Sequence, residues 1–152
     1  MYEQLAAGVR KTLIKDWEPL SRSRLHFLVK WSTRDRKPVL KDRHARRLHE
    51  RIPAICEERG IPLAQVAVEA DRVHLLFGLR PSESVAGAVR ELKSRAGLDL
   101  MSAFPELRVR LGGNLIWDDR YEVETLSAAR LSRTRERLRS IEDWSEPLAQ
   151  AS

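Results

Sequence analysis

The stretch Ala70-Asp71-Arg72-Val73-His74-Leu75-Leu76-Phe77 decides how this chain is read. Its residues alternate as a strand does: Val73, Leu75, Phe77 and Leu79 point one way, and Arg72, His74 and Leu76 the other. Gln65–Glu69 reads as a second strand joined to it by a tight turn, which makes the segment a hairpin.

Leu25 to Thr33 alternates in the same way, with Leu25, Phe27, Val29 and Trp31 inward. Leu115–Thr125 is a further strand region, containing Trp117 and Tyr121. Helical spacing predicts a helix over 3–17 (Leu5, Val9, Leu13, Ile14, Trp17), closed by Pro19. A second helix runs from a cap at Asp42 to about Arg59 along the stripe Ala45, Leu48, Ile52, Ile55 and Cys56. Pro53 predicts a kink in it, and Gly60 with Pro62 ends it. A third opens at Pro81-Ser82 with Val85, Val89 and Leu92 on one face and continues to about Ala96. After a short helical piece to Phe104, Leu107–Leu111 reads as a strand stopped by Gly112-Gly113. The last helix spans about Ala129 to Asp143, with Leu131, Leu138 and Ile141 along one side. This order predicts an α+β fold, an antiparallel sheet with helices packed on one face. The other face is then open, and positions 72, 74 and 76 point there.

At 152 residues the chain suits one domain able to bury a real core. Hydrophobic content of 42% and charged content of 33% describe a globular protein. No run approaches the roughly 18 apolar residues of a membrane span, and the N-terminus does not read as a signal peptide. Cys56 is the single cysteine, so a cytoplasmic setting without an intrachain disulfide is expected. The 28 Lys and Arg against 22 Asp and Glu give a net charge of +6, which favours polyanionic partners. These charges crowd two segments: Arg34, Arg36, Lys37, Lys41, Arg43, Arg46, Arg47 and Arg51, then Arg130, Arg133, Arg135, Arg137 and Arg139. Such clusters suit phosphate contacts or solvated helix faces equally.

The Asp71-to-Leu76 segment resembles the Asp-His-hydrophobic-His-Leu-Leu signature of the HUH single-tyrosine transposases of small insertion sequences. The likeness extends in order along the chain. It takes in Leu25–Trp31 with Arg36-Lys37-Pro38-Val39-Leu40, the hairpin Val68–Leu79, Val89-Arg90-Glu91-Leu92-Lys93-Ser94, and Leu115–Thr125. The nearest relatives it suggests are those associated with repetitive extragenic palindromes. The resemblance implies a ferredoxin-like fold over residues 21–145, beside an N-terminal helical extension (1–20) and a flexible tail (146–152). It also implies a homodimer acting on single-stranded or hairpin DNA. In that family two histidines on one sheet face bind a divalent cation beside the scissile phosphate, and a tyrosine on the C-terminal helix forms the covalent intermediate.

Both catalytic parts are altered here. Arg72 stands at the first histidine position, and an arginine has no lone pair to offer a metal. The tyrosine belongs near Thr134 or Arg135, but the helix from Ala129 to Asp143 holds none; the chain's two tyrosines are Tyr2 and Tyr121. The expectation is therefore a transposase-like DNA-binding protein, inactive in strand cleavage and needing no cofactor. Its DNA-binding candidates are Arg72, His74, Lys93, Arg36, Lys37, Arg133, Arg135 and Arg137. The Arg72 guanidinium either binds the phosphate that the family's metal neutralises or is a replacement tolerated once cleavage was lost; the two readings are equally open. His74 is the remnant of the metal site; His44 and His49, in a basic helix, are expected at a solvated surface. Trp31 and Trp117 read as core residues before base-stacking ones. Two other readings stay open. One is an active nicking enzyme with Tyr121 or Tyr2 as nucleophile and Mg or Mn held by His26 and His74. The other is an interaction protein that has lost DNA binding.

Overall fold

The computed structural model describes residues 25–150, so the expected helix at 3–17, the extension 1–20 and Tyr2 lie outside the described residues. The hairpin is formed by β2 (Leu63–Val68) and β3 (Arg72–Leu79), joined through a two-residue turn at Ala70-Asp71. β3 pairs antiparallel with β1 (Leu25–Thr33), and β1 with β4 (Trp117–Leu126), giving the sheet order β2-β3-β1-β4. The expected α+β fold with an antiparallel sheet is what the chain adopts, and the sheet has four strands.

The first sheet face carries the main core. Phe27, Val29 and Trp31 of β1 and Val73, Leu75 and Phe77 of β3 pack under α1 (Asp42–Arg59) and α2 (Val85–Ala103). Trp31 meets Trp117 edge-on, with ring centroids 5.8 Å apart, an arrangement aromatic quadrupoles favour. α1 begins after Lys41, one residue before the expected cap Asp42, and the Lys41 N–H donates to His44 Nδ1 at 2.9 Å. It runs through Pro53 and ends at Gly60, whose φ of 68° a residue with a Cβ tolerates poorly. α2 is capped by Ser84, whose hydroxyl accepts from the Gly87 N–H, and extends past the expected end at Ala96.

Four expectations are corrected. Leu107–Leu111 is not a strand but most of α3 (Glu106–Leu111). Leu107 and Leu111, four apart, are buried while Val109 between them is 85% exposed, the pattern of a helix face. His44 and His49 are not solvated; both are buried in α1. His44 stacks edge-on to Phe104 with centroids 4.7 Å apart. Finally, the second sheet face is only partly open. α4 (Ala128–Gln150) lies against it, placing Leu131 and Leu138 over Leu28, Ala64, Ala67 and Leu76 in a second apolar cluster. α4 also continues beyond Asp143 into residues 146–150, read from sequence as tail.

Candidate nucleic-acid interface

Pairing register places the polar residues of the second face in rows. Ala67, His74, Lys30 and Glu122 lie side by side across β2, β3, β1 and β4, and the next row holds Arg72 beside Ser32. This is the part of the face nearest the β2–β3 turn, where Arg34–Arg36 forms a short 3-10 turn. Asp35 and Arg36 both take positive φ, near 54° and 55°, uncommon for residues with a Cβ. The surroundings impose it. The Thr33 N–H donates to the Asp71 carbonyl at 2.9 Å, its hydroxyl to the Lys37 carbonyl at 2.7 Å, and the Leu40 N–H to the Ala70 carbonyl at 2.9 Å. Arg36 and Lys37 are thereby carried to the hairpin turn.

Within this end of the sheet His74, Glu69, Arg72, Asp71 and Arg36 form one ionic network. His74 Nε2 is 2.6 Å from Glu69 Oε2. Arg72 Nε is 3.8 Å from Glu69 Oε2 and 3.6 Å from Asp71 Oδ1, and Arg36 reaches Asp71 at 3.4 Å. Lys30 pairs with Glu122 at 3.5 Å. Burial lowers the His74 pKa, against the opposing pull of Glu69. Neither Glu69 nor Asp71 is among the site candidates of the sequence, yet Glu69 contacts both candidate residues of β3 and Asp71 contacts Arg72. Their signal was available: a two-residue turn puts Glu69 opposite Arg72.

The structure separates other candidates. His26 shares the second face with His74, but its partner on β3 is Gly78. Four residues of strand, about 13 Å, part the two ring positions, too far for one metal ion. Tyr121 pairs with Trp31 and packs against the main core, on the face opposite His74. Thr134, where a tyrosine was sought, is buried toward the sheet and donates to the Arg130 carbonyl at 2.8 Å. Lys93 belongs to the other side of the sheet; its ammonium donates to the Asp118 carbonyl at 2.6 Å. Burial lowers its pKa, opposed by Asp119 and Asp118. Arg133 and Arg137 lie exposed on α4, and Arg135 is half-buried.

Most arginines of α1 have acidic partners. Arg47 grips Asp99 with two bonds of 2.7 and 2.8 Å, and Arg51 joins it at 3.5 Å; the Arg47 bond holds the Asp99 carboxyl below its usual range. Arg43 meets Glu106, Arg46 meets Asp42 and Arg59 meets Glu91. This basic segment therefore ties α1 to its neighbours, and less of it faces outward than its charge suggests.

A family profile described as "Transposase IS200 like" matches residues 21–139. The chain belongs to the IS200-like transposase family. A curated relative, the ISDra2 transposase TnpA of Deinococcus radiodurans, is 27% identical over 103 residues, covering 68% of this chain and 74% of that protein. A crystal structure of a Deinococcus radiodurans transposase aligns with a TM-score of 0.64 at 28% identity, covering 78% of this chain and 92% of the other. The REP-associated tyrosine transposase bound to a REP hairpin shares the fold, with a TM-score of 0.54 at 15% identity over 77% of this chain and 64% of that one.

Membership in the IS200-like transposase family implies a divalent metal at the β3 position, and the residues present do not fit one. Arg72 brings a permanent cation where a neutral donor is needed, and the other imidazole of that face, His26, stands about 13 Å from His74 along the strand. Among the described residues no three His, Cys, Asp or Glu side chains converge to hold an ion, and no helix is long and apolar enough to cross a membrane.

Proposed function

We propose that this member of the IS200-like transposase family binds single-stranded or hairpin DNA, as a homodimer, without cutting it. The observation that carries the reading is Arg72: its guanidinium shares with His74 the sheet face where the family resemblance puts metal and phosphate. A guanidinium binds a phosphate through paired, charge-assisted hydrogen bonds, so it substitutes for the metal's charge but not for its Lewis acidity. Arg72, Arg36 and Lys37 at one end of the sheet supply a phosphate-binding rim, and the exposed Arg133 and Arg137 of α4 extend it. The REP-associated relative was solved with a hairpin, which supports the choice of ligand. Loss of cleavage is supported by Thr134 at the expected nucleophile position and by Tyr121 on the opposite sheet face.

The test is binding of labelled hairpin, single-stranded and duplex DNA across a salt series, then magnesium or manganese and a denaturing gel. Salt-sensitive hairpin or single-strand binding without a covalent product is the expected result. A protein–DNA covalent band would return the chain to the nicking enzymes, and absence of all binding would leave an interaction protein. Sizing by light scattering checks the dimer.

A further inference from the structure

Between the start of β4 and α2, on the side of the sheet away from His74, lies an open cavity of about 510 Å³, within the range of small-ligand sites. Leu98 and Leu115, two residues lining it, are 70% and 64% exposed, so an apolar wall is presented to solvent over a concavity. Tyr121 adds a half-buried ring. At the same site stand Lys93, whose ammonium donates to the Asp118 carbonyl, and the exposed Arg90, which has no acidic partner among the described residues. Asp119, exposed on the lining, contributes a carboxylate acceptor.

Flat apolar contact, a cation for a phosphate and an acceptor for an amino group are together the requirements of one nucleotide. An apolar peptide segment would use the leucines but leave Arg90 and Asp119 without a role. We propose that this cavity receives a single unpaired nucleotide of the bound DNA, with a base that bears an exocyclic amino group. The inference rests on the DNA-binding reading above and deepens it. The base lies against Leu98, Leu115 and Tyr121, its phosphate turns to Arg90, and Asp119 accepts from the amino group. Cytosine, adenine and guanine fit this description; thymine, which lacks the amino group, does not.

The experiment is anisotropy with a hairpin carrying a short single-stranded extension, each extension nucleotide replaced in turn by an abasic site. At one position the replacement should weaken wild-type binding about five- to hundredfold, the range of a lost base stack. Ser94→Trp, which fills the cavity from an exposed position, should bind at the weakened level and ignore the abasic site. Arg90→Glu, on the exposed rim, serves as a second variant should Ser94→Trp melt early. Thymine at the sensitive position should bind worse than cytosine in the wild type and equally in Asp119→Ala. Tight binding that is indifferent to every abasic replacement would overturn the cavity's role and leave the DNA-binding reading standing. Failure of the wild type to bind any DNA would remove that reading first, and the nucleotide site with it.

Discussion

His74 Nε2 lies 2.6 Å from Glu69 Oε2, while the same carboxylate is 3.8 Å from the Arg72 guanidinium. One acid thus lies against both polar residues that β3 turns to the second face. A phosphate arriving there competes with Glu69 and Asp71 for that guanidinium. Arg72→Ala should weaken hairpin binding and lower the slope of log affinity against log salt by about one, as expected for one lost phosphate contact. An unchanged slope would place the DNA elsewhere.

Arg72→His tests the same position from the other direction. It adds a second imidazole two residues from His74 on one face, beside the Glu69 carboxylate, and so assembles three donors. Calorimetric titration with Mn²⁺ should show binding to this variant and none to the wild type. Equal behaviour of the two proteins would mean that the strand geometry, and not Arg72, excludes the ion.

Acid should destabilise the fold earlier than carboxylate titration alone predicts. Burial holds His26, His44 and His74 below the ordinary histidine value. Below a pH of about 6.5 the unfolded chain therefore binds protons that the folded chain refuses, and stability falls as pH falls. The contribution is complete above about pH 7 and declines at up to about 1.4 kcal/mol per pH unit for each such histidine. Asp99 and Glu106, both lowered, lose their contributions only at more acid pH. Urea midpoints at about pH 7.5 and 5.5 measure the slope, which should be shallower in His74→Gln. A slope unaltered by that change would assign the acid sensitivity to other groups.

What the sequence made legible was whatever short-range periodicity determines. The alternation of Leu25–Thr33 and Arg72–Leu79 placed the two central strands, and Gly60 placed the end of α1. Leu107-x-Val109-x-Leu111 failed because period two and the i, i+4 spacing coincide over five residues, and only burial chooses between them. His44 and His49 were misjudged because arginines surround them in sequence, while the arginines' own partners, Asp99 and Glu106, lie far along the chain. Alternation put Arg72 and His74 on one face, and Glu69, which lies against both, follows only once the two-residue turn sets it opposite Arg72. The cover of α4 over Leu76 was hidden because a strand with both faces buried still alternates in polarity near its ends.

Gly97 and Gly87, both on α2, should respond oppositely to alanine. A Cβ at Gly97 would sit 2.9 Å from Ile116 Cγ2 and from Trp117 Nε1, the atom that donates to the Lys93 carbonyl. Gly97→Ala should cost about 1–3 kcal/mol. At Gly87 the nearest contact is 3.5 Å, to Ser84 Oγ, so Gly87→Ala should be neutral or gain up to about 1 kcal/mol of helix propensity. Equal urea midpoints for both variants would contradict the close approach of α2 to the start of β4.

The packing of α4 on the second face is measured by Leu138 against Val109. Leu138 is fully buried over Ala64, Ala67 and Leu76, whereas Val109 is 85% exposed on α3. Truncating a buried leucine removes its transfer free energy and leaves a cavity, so Leu138→Ala should cost about 2–5 kcal/mol. Val109→Ala should stay within about 0.5 kcal/mol. The comparison also reports on the site, because α4 carries Arg133 and Arg137. If Leu138→Ala unfolds only α4, hydrogen exchange will show α4 losing protection while α2 keeps it, and hairpin affinity will fall with it. A small cost at Leu138 with α4 still protected would mean that the helix is held by contacts other than this apolar seam.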